Sequence, residues 1–250
     1  MQTEQDKVKE ILRNLEPNDK IMINADLKDI ESFPAHENKE LGVRYRAVMT
    51  EQVSEKLKEA FDLMKLDHRN DPNLKDTPMR VASMWINELM VGRYQSKPRM
   101  ESFPLQFGGD GVAVDNEEIN TDMMISKKVD VRSLCSHHLA PFHDVSGDSQ
   151  SYAVIAYIPT NRLLGISKLQ RLINWYGARP HLQEQLTYQI YKEICDTIGS
   201  NNVYVAFKNI EHTCESLRGV KSNSGRTSTT QYGGVFKNPE LRKEALLQAL

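Results

Sequence analysis

No stretch of this chain approaches the roughly 18 consecutive apolar residues that a membrane-spanning helix needs, and its opening, Met1-Gln2-Thr3-Glu4-Gln5-Asp6-Lys7, is polar. A soluble, cytoplasmic protein with no membrane partner is the expectation. Neither sign of charge is in excess: 32 Lys and Arg stand against 34 Asp and Glu, for a net charge of -2. That balance argues against general attraction to nucleic acid or anionic lipid. Cysteine is scarce, with three in 250 residues. An odd, small number in a chain this long makes no disulfide framework, so metal or catalytic use in a reducing compartment fits better. Repeats and low-complexity segments are absent too.

Two of those three cysteines keep company with histidine. Cys135-Ser136-His137-His138 and the distant His212-Thr213-Cys214 offer Cys135, His138 and Cys214 as three ligands for zinc. Three protein ligands leave the fourth position of a tetrahedral ion open, which is the catalytic arrangement rather than the closed structural one. A free cysteine is more often a small buried hydrophobe, and from spacing alone the two readings are evenly matched. Cys195, within Ile190-Tyr191-Lys192-Glu193-Ile194-Cys195 and without a neighbouring histidine, is read as buried and inert. Bound zinc makes hydroxide available near neutral pH, so hydrolysis is the natural use. His137 and His212 would then stand beside the ion as general acids or bases. The alternatives are that one of them only supports a ligand, or that His137 takes the place of His138.

The chain is long enough for one large domain, or one with an appendage. Val8, Ile11, Leu12 and Leu15 predict an amphipathic helix that Pro17-Asn18-Asp19 breaks, and residues 1–48 read as an appendage, partly extended. A helical part follows over 49–110. Val53, Leu57, Ala60, Phe61 and Met64 predict one helix there; a second is expected to start with Thr77 as N-cap and Pro78 in the first turn, and to end at a left-handed Gly92. Over 111–250 the character changes. Strands are predicted at Met123-Met124-Ile125, over 127–132 and over 153–158, then helices over 168–176 and 182–198, the second closed by Gly199. Strands over 203–207 and 227–232 and a helix from Pro239 complete the chain. The order strand, strand, helix, helix, strand, strand predicts an α+β fold, an antiparallel sheet with a helix pair on one face.

Ser167, Lys168, Arg171 and Arg218 are cations and a hydroxyl that alone would be surface groups. Glu184 opens a helix, where an acid usually just complements the helix dipole. Their sharper reading is a carboxylate that accepts two N–H bonds from a guanine edge, with the cations on phosphates.

Six segments taken in order go further. They are Thr77-Pro78-Met79-Arg80-Val81-Ala82, the run from Cys135 to Phe142, Ala156-Tyr157-Ile158-Pro159, the run from Gly165 to Arg171, the run from Arg179 to Thr187, and His212-Thr213-Cys214 through Arg218-Gly219-Val220. Together they resemble the signatures of GTP cyclohydrolase I over residues 51 to 237. The resemblance implies a tunnelling fold, a homodecamer of two pentamers with active sites at subunit interfaces, zinc as sole cofactor, and hydrolysis of GTP to formate and 7,8-dihydroneopterin triphosphate for folate, biopterin or deazaguanine synthesis. It implies zinc ligands at Cys135, His138 and Cys214, proton transfer by His137 and His212, guanine recognition by Glu184 with Gln183 beside it, and triphosphate and ribose contacts from Ser167, Lys168, Arg171 and Arg218. Two departures stand out: the family usually has Glu where this chain has Ser136, and residues 143–150 lengthen a connection that is usually tight, which predicts a hairpin insertion with His143 in its loop. A zinc-stabilised module without activity and a related tunnelling-fold enzyme acting on another purine or pterin are the competing readings.

Overall fold

The computed structural model describes residues 2–105, 124–145, 147–222 and 225–250. The chain folds as two compact units, Met1–Ser96 and Lys97–Leu250. The boundary expected near residue 110 falls outside the described residues. Among the described residues no helix is long and apolar enough to cross a membrane.

The N-terminal unit is helical. Helix α1 (Glu4–Asn14) starts at a capping box in which the Asp6 amide donates to Thr3 Oγ1 and the Thr3 amide to Asp6 Oδ2, both at 3.2 Å. Pro17 ends that helix but also opens α2 (Pro17–Asp29), where its missing N–H costs nothing at the first position. A segment expected to be partly extended is therefore helical to Asp29. Helix α3 (Val43–Leu63) begins ten residues ahead of its expected apolar stripe and runs through residues 48 and 49; it buries Ala47, Val48, Thr50, Ser54 and Phe61, whereas Met64 stays exposed. In α4 (Thr77–Ser83), Thr77 is the first helical residue and not the cap, and its hydroxyl donates back to the Asn73 carbonyl at 3.3 Å. The helix then widens into a π turn over Met84–Leu89 and tightens into a 3-10 turn over Val91–Arg93. Gly92 is buried inside that turn and has no left-handed φ; its carbonyl accepts from Asn38 Nδ2 at 2.9 Å.

The C-terminal unit is a mixed sheet with helices. Among the described residues strand β1 (Ser102–Pro104) pairs only with β6 (Arg162–Leu164). The seven-stranded sheet holds β2 (Ile125–Val129), β3 (Arg132–Cys135), β4 (Ala140–His143), β5 (Tyr152–Tyr157), β7 (Pro180–His181), β8 (Val203–His212) and β9 (Arg226–Tyr232). All pairs are antiparallel except β3 with β7. The strand expected over 127–132 breaks at Asp130, where the Gln170 carboxamide bonds both the Asp130 amide and carbonyl at 3.0 Å and so replaces the ladder. Strand β8 is the spine: its first half pairs with β5, its last two residues pair with β4 along that same edge, and β9 takes the other edge. Strands β4 and β5 are thus not partners, and residues 144–151 join two strands that follow one another along β8. Among its described residues the lengthened connection forms no hairpin; Met123 and Ser146 lie outside the described residues.

Helices α5 (Ile166–Gly177) and α6 (Gln183–Ile198) cover one face, packing Leu169, Leu172, Ile173, Leu186, Ile190 and Ile194 on Ala153, Ile155, Tyr157, Val203, Val205 and Phe207. Gly199, with φ of 69°, closes α6 as expected. Past α7 (Thr213–Ser216) and β9, a 3-10 turn over Gly234–Lys237 and α8 (Pro239–Ala249) cover the opposite face, placing Phe236 and Ala245 on Ala156, Tyr204 and Ala206. Two covered faces explain why Ala153 to Tyr157 is continuously apolar rather than alternating.

Candidate metal centre

Strand β3 delivers buried Cys135 to its own C-terminal end, and there the backbone turns over Ser136 to Leu139. The Leu139 amide closes this turn on the Cys135 carbonyl at 2.8 Å, with Leu139 itself in the left-handed region at φ 50°. Neighbouring β7 pins the turn from outside, as Cys135 pairs with His181 and the Ser136 amide donates to the His181 carbonyl at 3.1 Å. The other half arrives by β8. Strand β4, directly after the turn, pairs Phe142 with His212, and Thr213 Oγ1 donates to the Pro141 carbonyl at 2.7 Å. Cys214, in the short helix α7, is thereby carried back to the Cys135 turn.

The result is that one ligand atom from each of Cys135, His138 and Cys214 lies within 4.8 Å of the others. Bonds of about 2.3 Å to sulfur and about 2.0 Å to nitrogen put tetrahedral ligands roughly 3.5–3.8 Å apart. Two thiols and an imidazole at this spacing suit zinc, and their softness favours it over magnesium or calcium. Burial and the neighbouring Cys135 sulfur push the Cys214 thiol above its usual range, so binding an ion there entails release of a proton. Cys195, also buried, stays apart in α6. His143 ends β4, its Nδ1 bonded to the Asp144 carbonyl at 2.8 Å, and is not part of the group.

Several expected residues gather around the cluster. Arg218 reaches it, with Nη1 2.7 Å from His138 Nε2. His137 is exposed on the turn, its ring edge-on to His138 at 6.3 Å. His212 lies stacked on Phe142, ring centroids 4.8 Å apart and planes 12° apart, and burial lowers its pKa against the opposing pull of Glu184 and Glu215. Glu184 occupies the first turn of α6 and is exposed. Gln183, beside it, is buried; its Oε1 lies 2.7 Å from His212 Nε2 and its Nε2 donates to Thr229 Oγ1 at 3.0 Å.

Ser167, Lys168 and Arg171 are placed elsewhere. They lie in the first half of α5, where Lys168 pairs with Glu101 at 3.2 Å and, together with Arg99 and Arg171, holds that carboxyl below its usual range. Helix α5 ends at Gly177, packed on the Arg132 carbonyl at the foot of β3, while Cys135 stands at the head of that strand. Lys168 is roughly 14 Å of helix rise from Gly177. Among the described residues no hydrogen bond or ion pair joins these three to the cysteine and histidine group.

Phe142 and Thr187 entered the sequence reading only as the last residues of two signature segments, and neither they nor Thr229 were assigned a role at the site. Thr229 was legible only as a β-branched strand residue, and Phe142 only as the end of a signature segment; nothing in either neighbourhood signals a polar chain or a stacked imidazole.

Comparison with known proteins places the chain in a family. Residues 50–250 match the family model described as GTP cyclohydrolase I. The GTP cyclohydrolase 1 of Aliivibrio fischeri is 33% identical over 211 residues, covering 83% of this chain and 87% of that one. Those of Wigglesworthia glossinidia brevipalpis and Flavobacterium johnsoniae are 32% and 31% identical over 197 residues, covering 78% of this chain and 82% and 79% of theirs. A solved structure, the apo form of the archaeosine synthase QueF-Like, aligns at a TM-score of 0.32 and 17% identity over 45% of this chain and 95% of that one. On the family match and these relatives, the chain belongs to the GTP cyclohydrolase I family, whose members are hydrolases.

Proposed function

We propose that this chain is a zinc-dependent, cytoplasmic GTP cyclohydrolase that opens the imidazole ring of the guanine, releases C8 as formate and forms 7,8-dihydroneopterin triphosphate. The observation that carries the reading is the group of Cys135, His138 and Cys214 with ligand atoms within 4.8 Å, with His212 two residues before Cys214, in a chain of this family. Cys135, His138 and Cys214 would hold the ion, which supplies Lewis acidity through an open coordination position. His212, fixed against Phe142, and exposed His137 would be the proton carriers. Glu184 would accept two N–H bonds from the guanine edge, a pattern adenine cannot supply.

The triphosphate needs cations. Arg218 is already at the cluster, whereas among the described residues no hydrogen bond or ion pair joins Ser167, Lys168 or Arg171 of the same chain to it. A second copy of the chain would bring its own α5 to this cluster, as in a tunnelling-fold decamer of two pentamers with sites at subunit interfaces. Open sheet edges support that reading: among the described residues β2 and β9 each have a single partner strand, and pairing between subunits removes such edges.

The test is to load purified protein with zinc and incubate it with GTP or ATP. Formate and a pterin absorbing in the near ultraviolet should appear from GTP, and ATP should react poorly. Zinc-loaded protein that releases no formate, or that turns over both nucleotides equally, overturns the proposal.

A further inference from the structure

A directional chain of hydrogen bonds runs from the sheet to His212. The Thr187 hydroxyl donates to the Gln183 carbonyl at 2.7 Å, as its one proton allows, and stands 2.6 Å from Thr229 Oγ1. Thr229 must therefore donate to Thr187, which leaves its lone pairs to accept from Gln183 Nε2 at 3.0 Å. The Thr227 carbonyl, 3.4 Å from that same nitrogen, can only accept. Turning the amide over would set Gln183 Oε1 against this carbonyl, so the donor end of the carboxamide is fixed toward β9 and its acceptor end toward His212. Gln183 and Thr187 are buried, Gln183 to 2% exposure, so no bulk water competes for these groups.

We infer that Gln183, Thr229 and Thr187 are positioning residues that hold His212 in a single tautomer, with the proton on Nε2 and the free lone pair on Nδ1. Gln183 Oε1, 2.7 Å from His212 Nε2, accepts and cannot donate, so Nε2 carries the hydrogen. Phe142, stacked at 4.8 Å, fixes the plane of the ring. The ring nitrogen left free to accept a hydrogen bond from the reacting water or substrate is then Nδ1. Gln183 thus acts through His212 rather than by touching the purine. This inference rests on the proposed function for its kinetic consequence alone; the tautomer is a property of the zinc-loaded protein without substrate.

The experiment combines ring-15N magic-angle-spinning NMR of histidine-labelled, zinc-loaded protein with kinetics. His212 signals are assigned by their loss in His212→Asn. The unmodified protein should show a protonated Nε2 and an unprotonated Nδ1 at His212. Thr229→Val should give a mixture of tautomers and a kcat about 10- to 100-fold lower, with KM for GTP and zinc content unchanged; Thr229→Ser should restore both readouts, and Thr187→Val should repeat the loss. A His212 protonated at Nδ1 in the unmodified protein overturns the inference, a result that needs no variant to fold. So does an unaltered tautomer and kcat in Thr229→Val. Failure to release formate from GTP would instead sink the proposed function and leave the tautomer measurement standing.

Discussion

Asp62, near the end of α3, takes both guanidinium nitrogens of Arg69 at 2.6 and 2.7 Å and lies 3.2 Å from His68 Nε2. Arg69 first, and His68 after it, hold this carboxyl below the usual aspartate range. Its folded pKa is depressed, so its stabilisation is present above the unfolded aspartate pKa of about 3.9 and is lost as pH falls through the folded value. Melting curves of the unmodified protein and Asp62→Asn should therefore differ at pH 7 and converge as the pH drops below about 4; a constant difference across that range would show that the ion pair is not the cause. At the metal cluster the test is compositional. Cys214→Ala should leave a site of two ligands, and elemental analysis should find zinc in the unmodified protein at about one per subunit and little in the variant. Full zinc in Cys214→Ala would remove that sulfur from the ligand set. Cys135, His138 and Cys214 were legible in the sequence because cysteine beside histidine is rare enough to stand out. Gln183 was legible only as a neighbour of Glu184, because hydrogen-bond direction depends on which groups a fold brings opposite each other.

Elements were read best where one physical signal dominated. The continuous apolar run over 153–158 and the glycine after α6 each had one interpretation, and both landed within a residue or two. The second helix of the N-terminal unit was missed because its Pro17 serves equally well as an ending and as a first position, and its buried surface is little more than Ile23. Gly92 misled for a related reason: a glycine after a periodic stripe suggests a left-handed stop, whereas the π turn over Met84–Leu89 carries the helix past that register. The break at Asp130 depends on Gln170, forty residues away, and no local pattern could announce it. Gly177 yields the sharpest prediction at this scale. A Cβ there would stand 2.3 Å from the Arg132 carbonyl oxygen, a backbone atom with no rotamer to yield. Gly177→Ala should destabilise the protein by about 1–3 kcal/mol, read as a lowered urea midpoint with an unchanged slope. An unchanged midpoint would mean that α5 shifts without cost.

For the molecule as a whole, Lys168 and Arg171 sit in α5 with no hydrogen bond or ion pair to the cluster among the described residues. If a neighbouring copy supplies those cations, two defective proteins can repair one another: His212→Ala and Lys168→Ala, each inactive alone, should regain part of the activity after being mixed under conditions that exchange subunits. Light scattering of the unmodified protein should show an assembly far above the 28.6 kDa of one chain. A fully active monomer, or mixtures as inactive as their components, would place the whole site within one chain. The β4–β8 pairing has a temporal side as well. Phe142 meets His212 only after the chain between them has closed a loop of some seventy residues, among the least local contacts in the sheet, and Cys214 cannot approach Cys135 before that. Such closures come at or after the rate-limiting step, so an ion at the cluster arrives when folding is nearly done. Zinc should then act as a lock and not as a seed: stopped-flow measurements should show refolding at the same rate with or without zinc, and unfolding slowed in its presence.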